Sequence, residues 1–235
     1  MISKILVPVD FGEASAAAVA LAGRLAAGCD ATMTLLHAES VDAPVYFTPH
    51  QVSTLAAEHR RRLEQARGFL DEFGRAHTRS PFLSRVVARR AIDAIEAFAS
   101  EVDLVVIGTH ARTGPKRWWL GSVAERVLRD LTVPVMVVHA GDAAAVPIRA
   151  VAVHAAPGLS GRNALDLATR IGRAFGADVH DRRAAPLDAG AAFADVSLVV
   201  IAEPEPHDRV WRATVGEPLI RSGRGPVLFV PDRAV

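Results

Sequence analysis

Short apolar runs alternate with longer amphipathic segments over the first 140 residues, and this alternation constrains the fold more than any other feature. The runs are rich in β-branched residues and continuously apolar, as strands buried on both faces of a parallel sheet are. Strands are predicted at residues 5–9, 32–37, 82–87, 104–107 and 135–138, and helices at 14–27, 53–77, 91–100 and 122–131. This β-α-β-α order with right-handed crossovers predicts a doubly wound α/β unit of the flavodoxin or Rossmann type.

A second, weaker copy of the pattern follows the first. Aligned without a gap, the segment from Trp119 matches the segment from Trp211. The strand at 104–107 also matches residues 198–201. The matched pairs include Ser122 with Thr214, Glu125 with Glu217, Arg129 with Arg221 and Pro134 with Pro226. An internal repeat of this length predicts two parallel-sheet units in tandem, at residues 1–141 and 147–235, around a small-residue linker at 141–146.

The second copy is shortened. Its stretch from Ala177 to Leu198 is far shorter than the corresponding stretch from Ala31 to Leu104 in the first copy. The difference is about the length of one helix and one strand, so we expect a complete first unit and a truncated second unit.

The segment from Gly108 to Ser122 carries the strongest functional signal. It leaves the carboxyl end of a predicted strand, where ligands bind in open α/β sheets, and enters a predicted helix. Gly121 allows a ligand to approach the backbone, and Ser122 is the predicted N-cap of a helix whose first amides attract anions. Arg112, Lys116 and Arg117 add positive charge, so the segment predicts a phosphate site.

These residues resemble the signature of the universal stress protein family, Gly-x2-Gly-x9-Gly-(Ser/Thr). Gly108, Gly121 and Ser122 match it, whereas Ala111 stands where the family has its middle glycine. The resemblance covers residues 1–140 and returns, weakened, over 147–232. It implies binding of ATP or a related adenine nucleotide, with or without Mg²⁺, and a role in stress response or signalling.

The resemblance also implies positions for the adenine and ribose. Asp10 would face one of them at the end of the first strand, next to Pro8 and Val9. Ala38 would offer backbone contacts to adenine, and Ile107 would pack near the base. The full set of expected nucleotide contacts is Pro8, Val9, Asp10, Ala38, Ile107, Gly108, His110, Ala111, Arg112, Gly121, Ser122 and Val123.

Simpler interpretations of the same residues stay open. Asp10 could cap the first helix, the glycines could serve turns alone, and His110 and Arg112 could be solvated surface residues. The Ala111 substitution leaves a nucleotide-free interaction protein as one alternative function, and a slow ATPase is another. The sequence offers no nucleophile, base or metal-ligand spacing from which catalysis can be argued.

The second copy has lost the residues that define the first site. Ala156, Ala202 and Ala213 stand opposite Asp10, Gly108 and Gly121, so we expect no nucleotide there. By the resemblance, strands 135–138 and 227–230 would pair within the chain as a built-in pseudo-dimer. A homodimer of whole chains stays open.

Charge and composition exclude other partners. The 27 basic and 26 acidic residues nearly cancel, which favours neither nucleic acid nor an acidic membrane. No run approaches the roughly 20 apolar residues of a membrane span. A single cysteine, Cys29, suits a reducing compartment, so we expect a cytoplasmic protein.

Overall fold

The computed structural model describes residues 2–40, 49–109, 121–140, 147–155, 159–183, 195–202, 219 and 225–231. Within these ranges the first copy contains β1 (Lys4–Pro8), α1 (Glu13–Cys29), β2 (Thr32–Ala38), α2 (Pro49–His77), β3 (Leu83–Val87), α3 (Ala91–Ala99), β4 (Leu104–Thr109), α4 (Ser122–Asp130) and β5 (Val135–His139). The second copy contains β6 (Ala150–His154), α5 (Leu159–Phe175), β7 (Asp178–Asp181), β8 (Leu198–Ala202) and β9 (Val227–Val230).

All the described strands belong to one sheet, in the order β3-β2-β1-β4-β5-β9-β8-β6-β7. The first five are parallel to one another, as their continuously apolar sequences predict. Strands β5, β8 and β9 are wholly buried, and β4 is buried except at Gly108. The predicted α/β class and parallel sheet are therefore confirmed.

The second unit repeats most of the first unit's topology. Its order β9-β8-β6-β7 corresponds to β5-β4-β1-β2, and no described strand corresponds to β3. β3 is the edge strand of the first unit, whereas the described part of the second unit ends at β7. Residues 141–146 lie outside the described residues, so the boundary between the units stays a prediction.

The two units meet through their final strands. β5 and β9 pair in antiparallel fashion, with Val135 opposite Phe229 and Val137 opposite Val227. On one face of the sheet, α1 also lies against α5: a Cβ added to Gly28 would be 3.2 Å from Ala174. The Arg24 guanidinium lies 5.7 Å from the centre of the Phe175 ring. The two units therefore share a continuous sheet and a continuous core.

Alternate side chains of each strand enter two separate cores. One core lies between the sheet and helices α1, α2 and α5, and includes Val7, Val106 and Val153. The other lies on the face covered by α3 and α4, and includes Leu6 and Val105. We refer to these as the α1 face and the α4 face. No helix within the described ranges is both long and apolar enough to span a bilayer.

Candidate functional site

The order of the strands places a crevice between β1 and β4. The chain leaves β1 toward β2 on one side and later returns to β4 on the other, so the direction of the crossovers reverses there. In open α/β sheets, ligands bind beyond the carboxyl ends of the strands at such a switch point. Asp10 follows β1, and Gly108 lies near the end of β4, so both predicted site residues occupy this edge.

Asp10 is exposed and held in a tight turn. Its Oδ1 atom accepts hydrogen bonds from the Gly12 amide at 2.9 Å and from the Ser15 hydroxyl at 2.5 Å. The Asp10 amide in turn donates to the Ser15 hydroxyl oxygen at 3.1 Å. The N-cap of α1 is Gly12, with no side-chain capping bond, so Asp10 organises the turn before the helix without being its N-cap residue. This pattern fixes the orientation of a carboxylate at the strand edge.

Gly108 has a packing role that needs no ligand. A Cβ at this position would lie 2.7 Å from the Ser15 amide nitrogen and closer still to the carbonyl group of Ala14. The backbone of α1 therefore approaches β4 so closely that only glycine fits. The structure therefore supports a packing role for Gly108, and this role does not depend on a ligand.

Gly121, unlike Gly108, is not crowded by described backbone atoms. Its φ of −51° is accessible to any residue, and no described atom lies within 4 Å of where a Cβ would stand. The described part of the fold therefore gives no reason for glycine at this exposed position. A helix N-terminus whose backbone is not crowded by any described atom is compatible with an approaching anion.

The start of α4 corrects one prediction from the sequence. Gly121, rather than Ser122, is the N-cap, and its carbonyl oxygen accepts the Glu125 amide at 3.0 Å. Ser122 is the first helical residue, and its side chain is exposed. The predicted cap was wrong by one position because glycine is itself an acceptable N-cap and the pattern alone favoured the hydroxyl. The helix still begins with amides that have no intrahelical acceptor.

Three further predicted contacts share the α4 face. Ile107 is 4% exposed and belongs to the core on that face, and Ala38 and Val123 pack against it. The ends of β2 and β4 and the start of α4 therefore meet on one side of the sheet. Pro8 is half-buried, and Val9 points to the opposite face, where it is buried. His110, Ala111 and Arg112 lie outside the described residues.

Sequence reasoning missed an aromatic cluster on the α1 face of the same edge, formed by Phe11, His37, Phe73 and His77. The Phe11 and His37 rings are 4.5 Å apart, and the Phe11 and Phe73 rings are 5.6 Å apart in an edge-on arrangement. His37 Nδ1 lies 2.8 Å from the Val9 carbonyl oxygen. The available signal was weak: an aromatic residue directly after Asp10 and a histidine near the end of β2.

The second unit has a different set of groups at its own carboxyl edge. Ala202, at the end of β8, is 2% exposed and offers no polar side chain. His154, at the end of β6, is 5% exposed, and neither ring nitrogen has a hydrogen-bond partner among the described residues. Burial lowers the pKa of His154, and the charge of Arg182 lowers it further. Ala156 and Ala213 lie outside the described residues.

Comparisons with known proteins agree with this architecture. The model of the universal stress protein family matches residues 1–139. A universal stress protein of Mycolicibacterium smegmatis is 32% identical over 228 residues, which are 92% of this chain and 73% of the relative. One from Methanocaldococcus jannaschii is 32% identical over 142 residues, covering 57% of this chain and 81% of the relative.

A solved structure matches the fold of both units together. The crystal structure of a universal stress protein from Archaeoglobus fulgidus superposes with a TM-score of 0.70, covering 97% of this chain and 98% of that one, at 15% identity. That likeness concerns the fold alone, whereas the family model and the sequence relatives identify the family. The chain belongs to the universal stress protein family.

Proposed function

We propose that the first unit binds an adenine nucleotide, ATP with Mg²⁺, in the crevice between β1 and β4 on the α4 face. The proposal rests mainly on the exposure and surroundings of Gly121 at the start of α4. Gly121 is exposed there. Its φ does not require glycine, and no described atom lies within 4 Å of the position that an added Cβ would take. An N-terminus of this kind at a switch point suits a phosphate group.

The positions of the described residues support the other proposed contacts. The amides of Ser122 and Val123 would hold phosphate oxygens, and the Asp10 carboxylate would accept a hydrogen bond from a ribose hydroxyl or an amino group. The backbone of Ala38 and the apolar surface at Ile107 would border the base. His110, Ala111 and Arg112 are proposed phosphate neighbours on the resemblance of the loop alone.

Mg²⁺ in this proposal arrives with the nucleotide. Among the described residues, no group of three or more His, Cys, Asp or Glu side chains could hold a metal ion. Mg²⁺ is commonly bound through substrate phosphates with few protein ligands, so such a site needs no dedicated cluster of carboxylates.

The bound nucleotide would act by biasing an interface in stress response or signalling. The second unit would contribute packing through β9 rather than a second nucleotide site, because Ala202 has replaced the glycine of β4 and is buried. We do not propose hydrolysis, because the sequence offers no evident general base beside the glycine loop.

A thermal-unfolding titration with Mg-ATP tests the proposal. At about a hundred times its dissociation constant, a ligand that binds only the folded state adds roughly 2.7 kcal/mol to the free energy of unfolding. We expect a saturable rise in the wild type that is lost in Gly121→Val, where the added side chain would occupy the proposed phosphate position.

The matched control is Gly68→Val in α2, another glycine with no described atom within 4 Å of an added Cβ. This variant should keep the full response to Mg-ATP. A wild type that shows no rise at millimolar Mg-ATP would contradict nucleotide binding and favour the nucleotide-free interaction protein. Binding accompanied by phosphate release that is lost in Gly121→Val would favour the slow ATPase.

A further inference from the structure

The end of β1 is tied to β2 through both polar groups of the Val9 backbone. The Val9 amide donates to the Leu36 carbonyl oxygen at 2.8 Å, which extends the pairing of the two strands. The Val9 carbonyl oxygen lies 2.8 Å from His37 Nδ1. A carbonyl oxygen only accepts, so Nδ1 carries the proton of this hydrogen bond. The His37 side chain is 13% exposed, so the bond is shielded from competing water.

The next residues of the turn are held from the same side. Phe11 has φ of 64°, in the left-handed region that a bulky residue rarely adopts. Its ring packs on the His37 ring and meets the edge of Phe73 from α2. Left-handed backbone at a non-glycine residue persists when surrounding contacts over-determine it, and such residues cluster at functional sites.

Asp10 lies between these two anchored residues. Val9 on one side is hydrogen-bonded to His37, and Phe11 on the other is packed against the same imidazole. The Asp10 carboxylate is then oriented by the Gly12 amide and the Ser15 hydroxyl. His37 itself faces away from the α4 face, because its neighbour Ala38 packs there and successive strand residues alternate.

We propose that His37 and Phe11 are positioning residues of the nucleotide site, which hold the Asp10 carboxylate in place from the opposite face of the sheet. This inference rests on the proposed function. Neither side chain contacts the nucleotide. They restrict the Val9–Phe11 backbone so that Asp10 meets its ligand without first being ordered, and this pre-organisation raises affinity.

A series of His37 variants tests the role of the hydrogen bond. His37→Leu removes the donor to Val9, and the dissociation constant for Mg-ATP, measured by calorimetry, should rise about five- to tenfold, the equivalent of one hydrogen bond. His37→Asn keeps an N–H donor near the position of Nδ1, so it should restore affinity to within about twofold of the wild type.

His77→Leu is the matched control. His77 belongs to the same aromatic cluster, with its ring 4.4 Å from that of Phe73, and its Nδ1 makes the same kind of bond to the Phe73 carbonyl oxygen at 2.8 Å. The ring contact and the hydrogen bond of His77 are both to Phe73 rather than to the turn that carries Asp10. Its loss should change stability by a similar amount and leave the dissociation constant unchanged.

Phe11→Gly provides an independent test should His37→Leu fail to fold. Glycine adopts the left-handed backbone readily, but it removes the ring that anchors the turn, so the dissociation constant should again rise. Absence of binding by the wild type would overturn the proposed function itself. Tight binding by the wild type with equal affinity in folded His37→Leu, or in Phe11→Gly, would overturn the positioning role alone.

Discussion

Replacing Gly108 by alanine should destabilise the protein even though the change adds one methyl group. The added Cβ would lie 2.7 Å from the Ser15 nitrogen and closer to the Ala14 carbonyl group, both of them backbone atoms of α1. Ordinary contacts of this kind are near 3.4–4 Å, so α1 and β4 would have to separate by several tenths of an ångström or more. Overpacking in a well-packed core costs about 1–3 kcal/mol, and we expect the upper part of this range because backbone cannot rotate away.

Gly121→Ala is the matched control, since it makes the same chemical change in another residue of the signature. No described atom opposes its Cβ, and its φ of −51° suits alanine. Alanine is a poorer N-cap than glycine, so we expect a loss below about 1 kcal/mol.

Urea denaturation followed by circular dichroism measures both changes as shifts in the midpoint at constant slope. Equal stability of the two variants would show that the close approach of α1 to β4 imposes no requirement for glycine at position 108.

Three further changes test other parts of the structure. Because burial and Arg182 lower the pKa of His154, the folded protein resists its protonation. The contribution of neutral His154 to the free energy of unfolding should therefore be complete above the ordinary histidine pKa of about 6.5, and it should decrease as the pH drops toward the lower pKa of the folded state. His154→Leu should flatten this pH dependence in urea titrations. Leu228→Ala, in the strand that pairs with β5, truncates a side chain with 0% exposure and should cost about 2–5 kcal/mol, whereas an unchanged denaturation midpoint would contradict burial at the junction of the units. Asp103 accepts hydrogen bonds from the Ser3 amide, the Ser3 hydroxyl and the Lys4 amide. Although burial raises the pKa of Asp103, these hydrogen bonds produce a net lowering of that pKa. Asp103→Asn should therefore reduce stability at pH 7 more than at pH 3.

The sequence predicted the fold well because its signals were periodic and repeated. Continuous apolar runs fixed the parallel strands to within one or two residues, and the internal repeat predicted the truncated second unit. The start of α2 was the largest error: the helix begins at Pro49 rather than at residue 53, because proline is compatible with a first helical turn and the local pattern there is not strongly apolar.

The candidate site was less visible from the sequence, for two physical reasons. A sequence does not distinguish a glycine that packing requires from one that packing does not require. In the structure, the backbone of α1 crowds an added Cβ at Gly108, whereas no described atom crowds one at Gly121. The contacts of His37 and Phe11 join residues from β2, α2 and the turn after β1, and no local pattern encodes such a meeting. The signature therefore predicted an edge of the sheet, whereas the groups that shape that edge required the folded chain.

The most direct test of the account is amide NMR of the wild type during titration with Mg-ATP. We predict saturable shifts at Asp10, Ala38 and Gly121–Val123, with little change at the second-unit positions Ala202 and His154. Shifts confined to the second unit, or absent at the start of α4 when the nucleotide is saturating, would contradict a nucleotide site at the carboxyl edge of the first unit.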